Sequence, residues 1–293
     1  MPVSDSLQGF AVVEQAAAKI NLALHVVGQR DDGYHLLDSL VTFTEFGDRL
    51  GFSPAVEDRF TISGHFGAAL DADGDNLVVR ARDRLRAALA ERGQAVPPVH
   101  IHLEKNLPIA SGIGGGSADA AATLRGLVRL WQARIPQDVL HAIAVSLGAD
   151  VPMCLASHPL IARGIGEDIT PVAIPAMPVV LGNPLVGVST PAVFKALASR
   201  HNPPLLLEPQ PQDWPAAIAQ LRNDLEPPAR QLCSEISMIA EDLSATDARV
   251  VRMSGSGATC FALYPSTAAA EAAAAALSQK HPHWFFTATT TLA

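Results

Sequence analysis

The chain of 293 residues has few cysteines, few aromatic residues and fewer basic than acidic side chains. Its three cysteines, Cys154, Cys233 and Cys260, lie far apart without paired spacing. This argues against a zinc site or a disulfide framework and favours a reducing, cytoplasmic compartment. The net charge is −8. Because nucleic-acid grooves and anionic membrane surfaces require basic patches, the sequence predicts neither of these partners.

Long apolar runs are also absent. The most apolar stretch, residues 174–188, is broken by three prolines and an asparagine, whereas a membrane helix needs about 20 apolar residues. The first residues show no basic segment followed by an apolar run, so we expect no signal peptide. Hydrophobic residues nevertheless make up 48% of the chain. This composition predicts one large or two ordinary globular domains.

Glycine is concentrated in one stretch, Pro108-Ile-Ala-Ser-Gly-Ile-Gly-Gly-Gly-Ser-Ala-Asp-Ala-Ala-Ala122. A strand pattern at 99–103 leads into it, and a helical pattern over 118–131 follows. Glycines let backbone N–H groups approach an anion, and a helix N-terminus carries unsatisfied donors. The stretch is neither a Walker motif nor a clean Gly-x-Gly-x-x-Gly fingerprint. On glycine count alone, a helix cap and an anion site are evenly matched, and the strand–loop–helix order favours the anion site.

Two segments near the N-terminus combine polar residues with a strand pattern. Alternation over 10–27 predicts a strand with Lys19 and Asn21 on the face opposite the apolar residues. By default, Lys19 on such a face is solvent-exposed. Residues 28–35 form a predicted turn that ends on Tyr34 and His35, which could stack on a flat ligand. The alternative is that Tyr34 only begins the next strand.

The middle of the chain predicts helices over 77–91 and 136–147. The arginines between 80 and 86 are interpreted as a solvated helix face. His100 and His102 are predicted to be solvent-facing, because no third metal ligand accompanies them. Asp150 lies in the turn after the second helix. It is either an inert turn aspartate, which the residues alone favour, or a positioned carboxylate.

Prolines become frequent after residue 160, where we place a boundary between domains 1–160 and 161–293. Beyond it the pattern predicts strands at 178–181, 185–188, 249–253, 260–264 and 284–292. Helices are predicted over 216–222, 228–240 and 266–279. A second glycine turn, Ser254-Gly-Ser-Gly-Ala-Thr259, joins two of these strands.

Five segments in order carry a family resemblance. Residues 108–122 resemble the phosphate loop of the galactokinase, homoserine kinase, mevalonate kinase and phosphomevalonate kinase superfamily, and 254–259 resemble its C-terminal glycine motif. Ala18-Lys-Ile-Asn-Leu22, Gly28-Gln-Arg-Asp-Asp-Gly-Tyr-His35 and Gly148-Ala-Asp-Val-Pro152 narrow the likeness. Together they resemble the branch that phosphorylates a diphosphocytidyl derivative of methylerythritol in non-mevalonate isoprenoid biosynthesis.

The resemblance implies an α+β, two-domain small-molecule kinase fold. The N-terminal domain would be ribosomal-protein-S5-like and carry the phosphate loop, and the C-terminal domain would be ferredoxin-like and contribute to the substrate pocket. ATP and Mg²⁺ are the implied co-substrate and cofactor. The expected oligomeric state is either a monomer or a weak dimer.

The resemblance also implies roles for individual residues. Lys19 and Asp150 would be the catalytic pair, with Asp150 as the general base. ATP phosphates would be held by Pro108, Ile109, Ala110, Ser111, Gly112, Ile113, Gly114, Gly115, Gly116, Ser117 and Ala118. The diphosphocytidyl substrate would contact Asn21, Tyr34, His35, Thr190, Pro191 and Phe194, with the rings of Tyr34 and Phe194 sandwiching cytosine. The sequence shows no clear pair of carboxylates that would form a metal site. Arg163, which precedes Gly164, differs from the residue that the resemblance leads us to expect at this position.

Two other functions fit the same motifs. One is another small-molecule kinase of the superfamily, which the pair Tyr34 and Phe194 argues against. The other is a nucleotide-binding protein without catalysis, in which Lys19 and Asp150 would lie more than about 6 Å apart, where coupling of charges is weak.

Overall fold

The computed structural model describes residues 6–70, 76–109, 111–208 and 210–293. The described residues form two compact units. Unit 1 comprises 6–18, 47–70, 76–109 and 114–156, and unit 2 comprises 19–46, 111–113, 157–208 and 210–293. Strands β1 (Val12–Gln29) and β2 (His35–Pro54) each have residues in both units. The domain boundary at residue 160 stays a prediction.

Unit 1 contains a sheet and four helices. Strand β4 (Val99–Glu104) pairs in parallel with β3 (Arg59–Ser63) and antiparallel with residues 49–54 of β2. The helices are α1 (Leu77–Ala90), α2 (Gly115–Leu130), α3 (Gln137–Leu147) and α4 (Val151–Ala156). A short 3₁₀ turn spans Gly67–Ala69. The core lies where the apolar faces of α1 and α2 meet the sheet, with buried residues that include Phe52, Leu85, Leu89, Leu103 and Leu124.

Unit 2 contains the remaining strands and helices of the described chain. Strand β5 (Leu160–Gly164) pairs antiparallel with residues 37–41 of β2 and with β6 (Asp168–Pro171). A second, wholly antiparallel sheet has the order β10-β7-β9-β8. Its strands are β7 (Pro178–Asn183), β8 (Val250–Met253), β9 (Cys260–Leu263) and β10 (Phe285–Thr290). The helices are α5 (Thr190–Lys195), α6 (Trp214–Ala219), α7 (Glu226–Leu232), α8 (Ser234–Ser244) and α9 (Thr267–Lys280).

The second sheet and its helices have a ferredoxin-like chain order. The sequence β7–α8–β8–β9–α9–β10 is the β-α-β-β-α-β arrangement of that fold. The buried residues of α8, Ile236, Ile239 and Leu243, recur at helical spacing, so that they form one apolar stripe in the core of unit 2. The predicted α+β class is confirmed.

Local details differ from the sequence prediction at several points. The strand predicted at 185–188 is wrong, because Asn183 Oδ1 accepts a hydrogen bond from Leu185 N at 2.6 Å and Leu185 adopts φ +59°, which ends the extended chain after β7. The helix predicted over 228–240 is divided at Cys233, whose backbone is extended. Helix α4 was not predicted. Asn76 caps α1 as expected, whereas Asp75 lies outside the described residues.

Two predicted surface groups of unit 1 are more enclosed than the sequence suggested. Arg86 binds both carboxylate oxygens of Asp58, and its guanidinium lies 5.5 Å above the Trp131 ring, so this part of α1 is not simply solvated. His100 and His102 are half-buried rather than solvent-facing, because Thr61 Oγ1 lies 2.8 Å from a ring nitrogen of each.

In the part of the chain that the structure describes, every helix is too short or too polar to cross a bilayer.

Candidate active site

The glycine-rich loop connects β4 to α2, as the strand–loop–helix pattern predicted. Helix α2 begins at Gly115, three residues earlier than predicted, so Gly115 and Gly116 lie in its first turn. Gly114 precedes it in a left-handed conformation, with φ +66°. Ser117 and Ala118 follow in the helix. The N–H groups of this first turn have no partner within the helix, which is the physical basis of anion binding at such a terminus.

The first part of the loop packs against the second glycine turn within unit 2. Thr259 N donates to Ser111 O at 3.1 Å, and Ser254 Oγ donates to Gly112 O at 3.2 Å. A Cβ atom on Gly112 would lie 2.6 Å from Gly257 O. Gly112 must therefore be a glycine for steric reasons as well as for its φ of +74°. Ala110 lies outside the described residues.

Lys19 and Asn21 of β1 are buried beside these two loops. Lys19 N donates to Ile113 O at 2.9 Å, and Asn21 N donates to Ser254 Oγ at 3.1 Å. The two residues are 5% and 4% exposed. The default interpretation of Lys19 as a solvent-facing residue is therefore wrong, because this strand is buried on both faces.

The Asn21 carboxamide is only partly satisfied. Its Nδ2 donates to Ser39 Oγ at 2.8 Å, while Oδ1 is buried and accepts no hydrogen bond from the described residues. Buried acceptors without a partner are uncommon in folded proteins, and this atom could accept a hydrogen bond from a ligand. The atom lies 3.4 Å from where a Cβ of Gly255 would be, so the second glycine turn borders it.

Asp150 lies in unit 1, immediately before α4. Gly148 ends α3, and its N–H donates to Ala144 O at 3.3 Å. Cys154 N then donates to Asp150 O at 3.1 Å, which starts α4 and directs the chain away from the turn. The Asp150 side chain is half-buried. Lys19 belongs to unit 2, so the catalytic pairing of Lys19 with Asp150 stays a prediction.

The aromatic residues predicted for the substrate site lie in unit 2. The His35 and Phe194 rings stack with centroids 4.6 Å apart and an interplanar angle of 27°. Burial, and then the nearby charge of Arg200, lower the pKa of His35, and its buried Nε2 has no partner among the described residues. Tyr34 is 60% exposed. The ring that stacks on Phe194 is thus that of His35, and a sandwich of Tyr34 and Phe194 stays a prediction.

Thr190 and Pro191 form the first turn of α5, where Ser189 caps the helix through Ala192 N. Thr190 Oγ1 lies 2.7 Å from Ser256 Oγ of the second glycine turn. Ser254 and Ser256 were recognised only as part of a motif. The signal in the sequence was the pair of hydroxyl side chains on either side of Gly255.

Arg163 is the residue that differs from the pattern of the resembling family. It lies opposite Asp38 in the β5–β2 pair, with its Nε 3.4 Å from Asp38 Oδ1. Asp38 Oδ2 also accepts from Leu205 N at 3.0 Å. Arg163 therefore has a cross-strand carboxylate partner.

Two family models match the chain. The family described as GHMP kinases N terminal domain matches residues 76–158, and the family described as GHMP kinases C terminal matches residues 204–283. Together they cover more than half of the chain.

Relatives of known name match nearly the whole chain. It is 61% identical over 287 residues to a 4-diphosphocytidyl-2-C-methyl-D-erythritol kinase of Rhizobium johnstonii, covering 96% of this chain and 94% of that protein. An identically named protein of Agrobacterium fabrum is 58% identical over 290 residues. The match covers 96% of this chain and 96% of that protein.

Solved structures show the same relationship. A crystal structure of 4-(cytidine 5'-diphospho)-2C-methyl-D-erythritol kinase matches with a TM-score of 0.79 at 32% identity, covering 96% of this chain and 100% of that one. A homoserine kinase from Cytophaga hutchinsonii matches with a TM-score of 0.65 at 19% identity. The match covers 95% of this chain and 93% of that one and shows a shared fold. The predicted two-domain kinase fold is confirmed, and the chain belongs to the GHMP kinase family of ATP-dependent kinases, within the branch of the 4-diphosphocytidyl-2-C-methyl-D-erythritol kinases.

Proposed function

We propose that the protein transfers the γ-phosphoryl group of ATP to the 2-hydroxyl of 4-diphosphocytidyl-2-C-methyl-D-erythritol in the non-mevalonate isoprenoid pathway. The observation that carries this substrate is the 61% identity, over 96% of the chain, to a relative named for it. The strand, glycine-rich loop and helix of unit 1 support the nucleotide half of the reaction, because a glycine-rich loop at a helix N-terminus suits a phosphate.

Asp150 is the proposed general base. It would accept the proton of the tertiary alcohol as the alcohol oxygen attacks the γ-phosphorus. Lys19 is the proposed electrostatic partner, which would keep the base ionised and offset developing negative charge. Phosphoryl transfer depends mainly on positioning and charge neutralisation, and the burial of Lys19 supports this role because a cation acts more strongly in a low dielectric.

Residues 108–118 are the proposed phosphate site, and Mg²⁺ is the proposed metal. Among the described residues, His, Cys, Asp and Glu side chains form no group of three that could hold a metal ion. The proposed ion would be held mainly by phosphate oxygens and water, with the Ser117 hydroxyl as a protein ligand. When bound, the ion would neutralise charge on the ATP phosphates.

The proposed substrate site comprises Asn21, Tyr34, His35, Thr190, Pro191 and Phe194. The stacked rings of His35 and Phe194 and the unpartnered Oδ1 of Asn21 support it, since a cytosine offers a flat face and exocyclic donors. We further propose a cytoplasmic enzyme, either a monomer or a weak dimer, in keeping with its three free cysteines.

The substrate assignment is tested by measuring ATP consumption with a panel of alcohols. We expect turnover with the diphosphocytidyl substrate and at least 100-fold lower kcat/KM with mevalonate, homoserine and galactose, because these lack the cytosine that the site would stack and hydrogen-bond. Comparable turnover of any of the three would contradict the assignment.

The role of Asp150 is tested with Asp150→Asn. The variant should lower kcat by roughly 10²–10⁴-fold, the range for a positioned acid or base. Its melting temperature and its KM for ATP should stay close to those of the wild type. Asp138→Asn, at the start of α3, is the matched control and should retain activity. Full turnover in Asp150→Asn would refute the assignment.

A further inference from the structure

Unit 1 contains a buried ion cluster that the proposed reaction does not use. Lys105, the residue after β4, lies with its Nζ 2.5 Å from Asp48 Oδ2 of β2 and 2.7 Å from Asp119 Oδ2 of α2. All three residues are nearly inaccessible to solvent. Asp119 Oδ1 is also buried and has no hydrogen-bond partner within the described residues.

The cluster contacts both ends of the glycine-rich loop. At the entry to the loop, Asp48 Oδ1 accepts hydrogen bonds from Asn106 N at 2.6 Å and Leu107 N at 2.7 Å. At the exit, a Cβ atom on Gly115 would lie 3.2 Å from Lys105 Nζ. The ammonium group therefore packs directly against the first residue of α2, and the loop leaves and returns at the same three side chains.

The charges in this cluster are expensive to bury. An ammonium beside a helix N-terminus is unfavourable by itself, because the helix dipole is positive there. Two carboxylates offset this, but a buried ion cluster generally stabilises a fold no better than apolar residues of similar volume. Stability alone therefore does not account for the cluster, whereas holding the loop in one conformation does.

Protonation of the cluster follows from its burial. Burial raises the pKa of Asp119 to about 8, with Asp48 adding to the shift and Lys105 opposing it. Burial by itself lowers the pKa of Lys105, but Asp119 and Asp48 outweigh this, and its pKa lies above the usual value. Lys105 thus stays charged, and Asp119 takes up a proton at a higher pH than an exposed aspartate does.

We propose that Lys105, Asp48 and Asp119 are positioning residues that fix the entry and exit of the glycine-rich loop in the geometry that binds the ATP phosphates. This inference rests on the proposed function of the loop. Ionisation of Asp119 adds a negative charge behind a loop that receives an anion, so ATP binding weakens at alkaline pH. The charged groups that face Asp119 are Lys105 from the end of β4 and Asp48 from β2.

The first test is the variant Lys105→Met, assayed by calorimetric titration with Mg-ATP and by steady-state kinetics. The Kd and KM for ATP should rise tenfold or more, while the KM for the second substrate changes less than twofold. A folded variant that binds ATP as the wild type does would overturn the proposal, even if its melting temperature falls.

The second test is Asp119→Asn, which keeps the shape of the protonated acid and stays foldable if Lys105→Met does not. Between pH 7 and pH 9 the Kd of the wild type for ATP should rise severalfold. The Kd of Asp119→Asn for ATP should change much less over the same range. Identical pH profiles for the two proteins would overturn the proposal.

Asp58→Asn is the matched control in the same unit. It removes the carboxylate charge that pairs with Arg86, next to Val99 at the opposite end of β4 from Lys105. It should lose stability but keep the wild-type Kd for ATP. If it weakens ATP binding as much as Lys105→Met does, the effect is general destabilisation and the proposal is overturned. If the wild type itself binds no ATP, the proposed function fails instead.

Discussion

Buried polar side chains carry much of the specificity of this molecule at the scale of single residues. In unit 2 the Arg252 guanidinium is enclosed and donates to three backbone carbonyls, Leu22 O at 2.7 Å, Ile218 O at 3.1 Å and Leu221 O at 2.7 Å. A buried guanidinium or carbonyl group without a hydrogen-bond partner would destabilise the folded state. These hydrogen bonds fix the course of β1 close to Lys19 and Asn21, the two polar residues for which we propose roles in the reaction.

Asp58 allows a prediction about acid stability. Its hydrogen bonds to Arg86 lower its pKa to about 2, opposed by partial burial and aided by Val99 N. A carboxyl whose pKa is depressed on folding stabilises the protein above its unfolded pKa and loses this effect as the pH falls towards the folded value. Asp58→Asn should therefore lower the free energy of unfolding by about 1–2 kcal/mol at pH 7, after allowance for partial solvent screening.

The measurement is urea denaturation of both proteins at several pH values. The difference in free energy should be constant from pH 7 to about pH 5 and should shrink as the pH falls towards 3. A difference that does not depend on pH would mean that packing, and not the ion pair, accounts for the loss.

At the scale of elements, the two glycine turns act as one unit of backbone packing. Gly112 and Gly257 approach so closely that a Cβ on Gly112 would overlap the Gly257 carbonyl. The first turn follows β4 and the second joins β8 to β9. A Cβ on Gly255 of the second turn would in turn lie 2.7 Å from Gly112 O. Each turn therefore supplies the steric reason for a glycine in the other.

Gly112→Ala tests this packing. The substitution imposes both a left-handed φ on alanine and a clash with backbone, so it should destabilise the protein by roughly 2 kcal/mol or more. Gly93→Ala is the matched control, because Gly93 has a similar φ of +68° but nothing lies within 4 Å of its Cβ position. Melting temperatures should fall more in Gly112→Ala than in Gly93→Ala. Equal losses would show that φ alone decides the cost.

Helices and strands with strong periodicity were predictable, and their ends were less so. Helix α1 was predicted at its first residue, Leu77, and to within one residue at its last. The reason is that Asn76 caps its start and a regular apolar stripe runs along it. The start of α2 was misplaced, since glycines favour turns by propensity and only tertiary packing makes them helical. The strand predicted at 185–188 failed for a related reason: the Asn183 side chain satisfies a backbone donor locally and ends the strand.

At the scale of the whole molecule, ligand binding should be visible as stabilisation. A ligand that binds only the folded state at 100 times its Kd adds about 2.7 kcal/mol to the free energy of unfolding. Mg-ATP at that excess should therefore raise the melting temperature by several degrees. Calorimetric scans with Mg²⁺ alone serve as the control. No shift with Mg-ATP, at a concentration that saturates turnover, would contradict nucleotide binding to the folded chain.

The sequence by itself determined the order of the elements, the glycine-rich loop between a strand and a helix, and the motifs that identify the family, because these depend on residues near one another in the chain. Only the tertiary structure decided which side chains are enclosed. Alternation places Lys19 and Asn21 on one face of β1 but does not say what covers that face. Likewise, Lys105 meets Asp48 and Asp119 from separate elements, and Ser254 meets Gly112 across 142 residues. The physical reason is that periodicity orients a side chain relative to its own element, while burial and charge pairing depend on the elements packed against it.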